Sequence, residues 1–255
     1  MPRAVLLAAL GLGLLAGCRG SLSPLSNKVK VGEEPYVVFS APGEEGVGDL
    51  FAAPIGGATA FQVTFTRVDE RTPALSPDGA MVAFVRSRAP GDTTAHQVVV
   101  MNLLSGAERT IAGVLPSAPD ALAWGPDGSM LYARIGDRSY VVEAPPVTGE
   151  WAPTAGAGVN SAFAVRVGNP PVGTVEGCGT GLCIRLASDS LVPLADSASA
   201  PVRWPGDSVA YLSRGEWVIR PLGGGRTRGV RWGKQLAVPA ALAVFPGPPP
   251  RPTPP

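Results

Sequence analysis

The chain has 255 residues, of which 33 are glycine, 28 proline, three cysteine and one histidine. Its 21 basic and 20 acidic side chains nearly cancel. That balance leaves no basic footprint for nucleic acid and no polybasic arm for anionic lipid.

Residues 1–17 are read as an export signal. Arg3 precedes an apolar run from Ala4 to Ala16 that closes on small residues. Such a run is too short to cross a hydrocarbon core of roughly 30 Å as a helix. With a basic start and a small-residue end it has the form of a secretory signal and is set apart from the fold. Leu15-Ala16-Gly17-Cys18 resembles the bacterial lipobox. That resemblance implies cleavage before Cys18, acylation of its thiol and anchoring through several acyl chains. Ordinary signal cleavage beside an incidental cysteine is the alternative. Cleavage there leaves 238 residues, with 20 basic and 20 acidic side chains. Arg19 stands where an aspartate would mark retention in the inner membrane, so the outer membrane, facing the periplasm, is the expected address. Residues 18–34 are polar (after Cys18, RGSLSPLSNKVKVGEE) and are expected to form a flexible tether spanning roughly 20–25 Å.

From residue 35 the chain repeats itself. PALSPDGAMVAFVRSR (73–88) reads strand, turn, strand. In Pro77-Asp78-Gly79 the proline presets φ, the aspartate bonds back to the backbone and the glycine accepts φ > 0. HQVVVMNLLSG follows as a further strand. The pattern recurs as ALAWGPDGSMLYAR (121–134) with DRSYVVEA, and with a slip as VRWPGDSVAYLSRGEWVIRPLGGG (202–225). A copy without its first strand covers Tyr36 to Thr66, a degenerate one runs from about Ser161 to Leu194, and a last fragment, VRWGKQLAV, starts at Val230. Phe39, Phe84, Tyr132, Val175 and Tyr211 anchor the copies at spacings of 45, 48, about 43 and about 36 residues. Periods of roughly 40–50 residues with four short strands apiece are those of propeller blades. Leu242 to Phe245 is placed to complete a terminal blade from the other end of the chain. Short strands with turn signals also suit a β-sandwich; the recurring turn favours the propeller.

PALSPDGAMVAFV and ALAWGPDGSMLYA resemble the TolB-like, WD-repeat-like β-propeller family, whose blades carry a W-S-P-D-G turn before an I-A-F strand. DLFAAPIGGATAFQVT resembles the second half of such a blade. The resemblance covers about Pro35 to Phe245 and implies fold. An all-β chain is therefore expected, a propeller of five or six four-stranded blades over residues 35–245, six favoured with the terminal blades incomplete. A Pro-rich tail follows at 246–255; proline lacks the ladder donor, so this tail cannot extend a sheet.

Candidate chemistry is sparse. Cys178 and Cys183 flank a Gly-Thr-Gly-Leu turn in GCGTGLC and are expected to form a disulfide clip in an oxidising compartment. A redox pair is the alternative; a zinc site needs about four ligands and the chain holds one histidine. No G-x-S-x-G nucleophile elbow, P-loop or calcium-loop spacing occurs. Asp78 and Asp127 occupy equivalent turns, whose chemistry accounts for them without a glycosidase pair. His96 is read as a loop residue, and Asp49, Asp137 and Glu216 as residues near strand starts. Trp124, Trp204 and Trp232 each close a strand and are expected to pack between blades, with Trp217 in a later strand. No catalytic residue, cofactor or metal site is assigned. The function expected is that of a monomeric, non-catalytic envelope lipoprotein that binds a protein partner. A ligand-binding or catalytic site assembled at a channel mouth from several blades is the alternative.

Overall fold

A computed structural model describes residues 25, 28–57, 59–111, 117–142, 160, 162–167, 172–233 and 236–248. The chain forms five antiparallel sheets arranged as propeller blades. Blade 1 contains β1 (Tyr36–Pro42), β2 (Gly48–Pro54) and β3 (Phe61–Gln62); blade 2 contains β4 (Glu70–Leu75), β5 (Met81–Ser87), β6 (His96–Asn102) and β7 (Glu108–Thr110). Blade 3 shows three strands among the described residues, β8 (Ala121–Trp124), β9 (Leu131–Ile135) and β10 (Arg138–Val141). Blade 4 is β11 (Val165–Val167), β12 (Gly173–Cys178), β13 (Gly181–Leu186) and β14 (Leu191–Ala195). Blade 5 is β15 (Ala198–Trp204), β16 (Ser208–Ser213), β17 (Glu216–Pro221) and β18 (Arg228–Val230).

The ring closes through the far end of the chain. β19 (Leu242–Phe245) pairs antiparallel with β1 in the register Tyr36↔Phe245 to Phe39↔Leu242, supplying the first strand that blade 1 lacks. The five repeat anchors fall one to each blade, on β1, β5, β9, β12 and β16. The count is thus five, and the preference for six is corrected. The fragment beginning at Val230 forms no blade: Val230 ends the outer strand β18, and the residues after it lead into β19.

The apolar runs have a simple cause. Successive side chains of a strand point to opposite faces, and a middle strand of a blade has a neighbouring blade on each side. Tyr36 and Val38 of β1 join a cluster with Val82 and Phe84 of blade 2, whereas Val37 and Phe39 join Trp204 and Trp217 of blade 5. In β5, Val82 and Phe84 face blade 1 while Ala83 and Val85 face Leu131 and Ala133 of blade 3. In β16, Val209 and Tyr211 pack with blade 4 and Ala210 with blade 1. YVVF and VAFV are continuous apolar stretches because both faces are buried, not because the sheets are parallel.

Leu25 and Val29 are buried in the cluster between blades 1 and 2, and Lys28 and Val29 donate backbone N–H groups to the Leu25 carbonyl at 3.0 and 3.3 Å. Apolar residues at 25, 29 and 31 hold this part of the chain on the propeller. Residues 1–24, which include the signal and Cys18, lie outside the described residues, as do 249–255 of the tail.

Candidate functional site

The first strands of the five blades, β4, β8, β11, β15 and β19, surround a central channel. The cavity along it measures about 430 Å³ and is lined by parts of all five strands, Thr72–Leu75, Ala121–Trp124, Val165, Ala200–Arg203 and Leu242–Val244 among them. The end at which these strands begin is called here the entry mouth. Side-chain size explains the open space: eight of the lining residues are alanine. Three lining side chains are charged, Asp120, Arg134 and Arg203. Asp120 accepts the Gly136 N–H at 2.7 Å. The Arg134 guanidinium lies 4.8 Å from the centre of the Phe163 ring, a cation–π contact. Neither arginine has a carboxylate partner among the described residues.

Two strained positions line the channel on blades 2 and 5, on either side of blade 1. Thr72 and Ala200 have φ of 50° and 49°. Each sits at a register shift of its inner strand, between Arg71 and Ala74 and between Ser199 and Val202. Each precedes a proline, which disfavours helical φ/ψ at the residue before it, and positive φ in a β-branched residue such as Thr72 is unusual. The Thr72 hydroxyl is buried without a hydrogen-bond partner among the described residues. Such bulges bend a strand and re-aim its side chains; here they set the channel wall of blades 2 and 5.

Next to the channel lies a buried polar cluster that joins blades 1 and 2. Glu70, at the start of β4, is 0% exposed and accepts from Arg86 Nε at 2.7 Å and from the Thr64 hydroxyl. Arg86 continues as a fork onto Glu108 at 2.6 and 2.8 Å. Asp49, 1% exposed, takes Gln62 Nε2 at 2.9 Å and the Thr66 N–H at 3.0 Å. Burial pushes the Glu70 carboxyl above its ordinary range, against the opposing pull of the Thr64 hydroxyl and the Arg86 guanidinium; Asp49 adds to the rise.

The residues singled out in the sequence are dispersed. Asp78 accepts from the Ala80 N–H at 3.0 Å and from the Ser76 hydroxyl, and Asp127 from the Ser129 N–H and hydroxyl at 3.0 and 2.9 Å. These bonds hold both carboxyls below their ordinary range. Both lie in turns at the end opposite the entry mouth. His96 begins β6, where the Arg71 guanidinium approaches Nε2 to 3.2 Å and the Thr93 carbonyl lies 2.9 Å away. Glu216 pairs with Arg231 on blade 5, and Asp137 lies in the turn between β9 and β10. Cys178 and Cys183 are bonded, with their Cα atoms 5.8 Å apart, on blade 4. The rings of Trp204 and Trp232 lie 6.3 Å apart between blades 5 and 1. Trp217 joins them and donates its indole N–H to the Pro239 carbonyl at 2.8 Å. Trp124 bridges blades 3 and 2 through a 3.1 Å bond to the Ala74 carbonyl and also lines the channel. Among the described residues no three His, Cys, Asp or Glu side chains are grouped so as to hold a metal ion.

Arg134 and Arg203 went unrecognised in the sequence because no local motif surrounds them. The usable signal was the Thr72-Pro73 and Ala200-Pro201 pairs, which stand at matching places in their repeats.

Strand order, closing strand and channel together decide the fold. The chain is a five-bladed β-propeller. No family model matches the sequence, and no match is found among curated proteins. Solved structures do resemble it. TolB from Acinetobacter baumannii shares 16% identity at a TM-score of 0.45, over 76% of this chain and 52% of that one. The propeller chain thus spans about half the length of TolB. A chain of a nidogen/laminin complex shares 12% identity at a TM-score of 0.50, over 82% of this chain and 98% of that one. Likeness at such identities is one of fold.

Proposed function

We propose that this chain is an exported, lipid-anchored, non-catalytic propeller that binds a protein partner of the cell envelope at the entry mouth of its channel. The observation that carries the reading is the channel itself: an alanine-lined opening of about 430 Å³ with two arginines that, among the described residues, no carboxylate neutralises. A packed hub would fill that space with larger side chains. Cleavage before Cys18 and acylation of its thiol would tether the mature protein to the outer membrane, with the propeller in the periplasm. The Cys178–Cys183 bond suits an oxidising compartment.

Two measurements test the parts separately. Intact mass of the protein from membranes should show an acylated N-terminus at Cys18, and Cys18→Ser should move it to the soluble fraction; an unmodified N-terminus refutes the anchor. For binding, the mature protein and an Ala121→Trp variant, which fills the channel, are cross-linked in envelope preparations. Loss of the adduct in the variant supports the mouth as the binding face. An adduct that persists unchanged places binding elsewhere.

A further inference from the structure

We infer that the channel selects an acidic, extended peptide segment; this rests on the proposed binding role and names what the partner must present. The cavity carries two cations against one anion, and Asp120 already accepts the Gly136 N–H. Arg134 and Arg203 stand at different depths. Arg134 is opposite Ala121, the first residue of β8. Arg203 precedes Trp204-Pro205 as Trp124 precedes Gly125-Pro126, which puts it level with the last residue of β8. Three residue steps of an inner strand separate these levels, roughly 10 Å. An occupant that engages both guanidiniums should match that separation of their backbones. An extended chain with acidic side chains along its length does so, since its own rise per residue is of the same order. Between the two levels the wall is apolar, with Leu122, Ala123 and Val202 in it, which suits the aliphatic stems of such a chain. Guanidiniums favour carboxylates through paired N–H donors.

The test is fluorescence anisotropy with the mature protein and three labelled decapeptides, Glu/Gly, Ser/Gly and Lys/Gly, beside a single-stranded oligonucleotide of equal charge. Binding of the Glu/Gly peptide at least tenfold tighter than of the other three is expected, weakening as salt is added. The double variant Arg134→Glu, Arg203→Glu should lose at least tenfold for Glu/Gly and gain for Lys/Gly. The Arg134→Lys, Arg203→Lys variant, which keeps the charge, should retain most binding. Both arginines are exposed, and equal melting temperatures of all variants confirm that the fold is kept. Absence of Glu/Gly binding, equal binding of Ser/Gly, or tighter binding of the oligonucleotide overturns the inference. If the Glu/Glu variant still captures the envelope partner, the binding role stands and the acidic selection falls.

Discussion

Phe245, the last residue of the closing strand, lies directly beneath Gly79 of the blade 2 turn: a β-carbon on Gly79 would stand 2.7 Å from the ring's Cγ. Tyr36, which pairs with Phe245, donates its phenol to the Gly79 carbonyl. The first recurring turn of the sequence is therefore also the seat of ring closure.

That contact separates two turns which repeat logic alone makes equivalent. Gly79 and Gly128 have φ of 72° and 73°, so alanine at either meets the left-handed penalty of about 1–2 kcal/mol. At Gly128 the nearest atom to an added β-carbon is Pro77 Cδ at 3.5 Å, an ordinary contact. Gly79→Ala also overpacks the Phe245 ring, adding about 1–3 kcal/mol. Urea unfolding should rank Gly79→Ala well below Gly128→Ala; equal losses would show that the closing strand does not press on the turn.

Asp78→Ala should cost about 1 kcal/mol through the lost turn bonds and leave partner binding unchanged. Both turn aspartates titrate below their unfolded values, so the stability they contribute is present above the unfolded pKa and is lost as pH falls through the folded one. Melting curves from pH 6 down to pH 2 should therefore be flatter for the Asp78→Ala, Asp127→Ala double variant than for wild type. Loss of binding by Asp78→Ala at unchanged stability would make the turn a contact site.

Glu70 has the opposite sign. Its folded pKa is raised by burial, so between the unfolded and folded values the native state holds the extra proton and stability falls as pH rises. Glu70→Gln keeps the shape and removes that titration. Its melting temperature relative to wild type should climb as pH is raised from about the unfolded value of 4.3. Glu70→Ala should lose about 1–3 kcal/mol, because the Thr64 hydroxyl and Arg86 Nε lose their buried acceptor while Arg86 keeps its fork onto Glu108. A Gln variant whose relative stability fell with rising pH would show that Arg86, and not burial, sets the carboxyl.

Reduction of the Cys178–Cys183 bond should lower stability by about 2 kcal/mol, the chain-entropy estimate for so short a loop. Thiol labelling of the denatured, unreduced protein should find neither cysteine, and two labelled cysteines would contradict the bond.

Much of the fold was legible because the blade turn is local: Ser76 to Gly79 and Gly125 to Gly128 carry their geometry in four residues. The five anchors were legible because a doubly covered strand needs a continuous apolar run. Of the five or six blades expected, six is favoured by the sequence because VRWGKQLAV looks like the start of a copy; the pairing of β19 with β1, foreseen for Leu242 to Phe245, closes the ring at five. The burial of Leu25 and Val29 was hidden by the polar residues between them. A site at a channel mouth could be foreseen only as an alternative without residues, since Arg134 and Arg203 are 69 positions apart and line one cavity only when the blades are laid around one axis. Glu70 read as an ordinary acidic residue because its partners, Thr64 and Arg86, come from two different blades.

The claim that the channel mouth is the binding face is tested most directly by a photo-crosslinking residue placed in living cells at Ala123, on the channel wall, and separately at Leu104, which is 55% exposed on the opposite end. An adduct with one envelope protein from position 123, and none from position 104, is the expected result. An adduct from position 104 with none from position 123 would contradict it and move the binding face to the other end of the propeller.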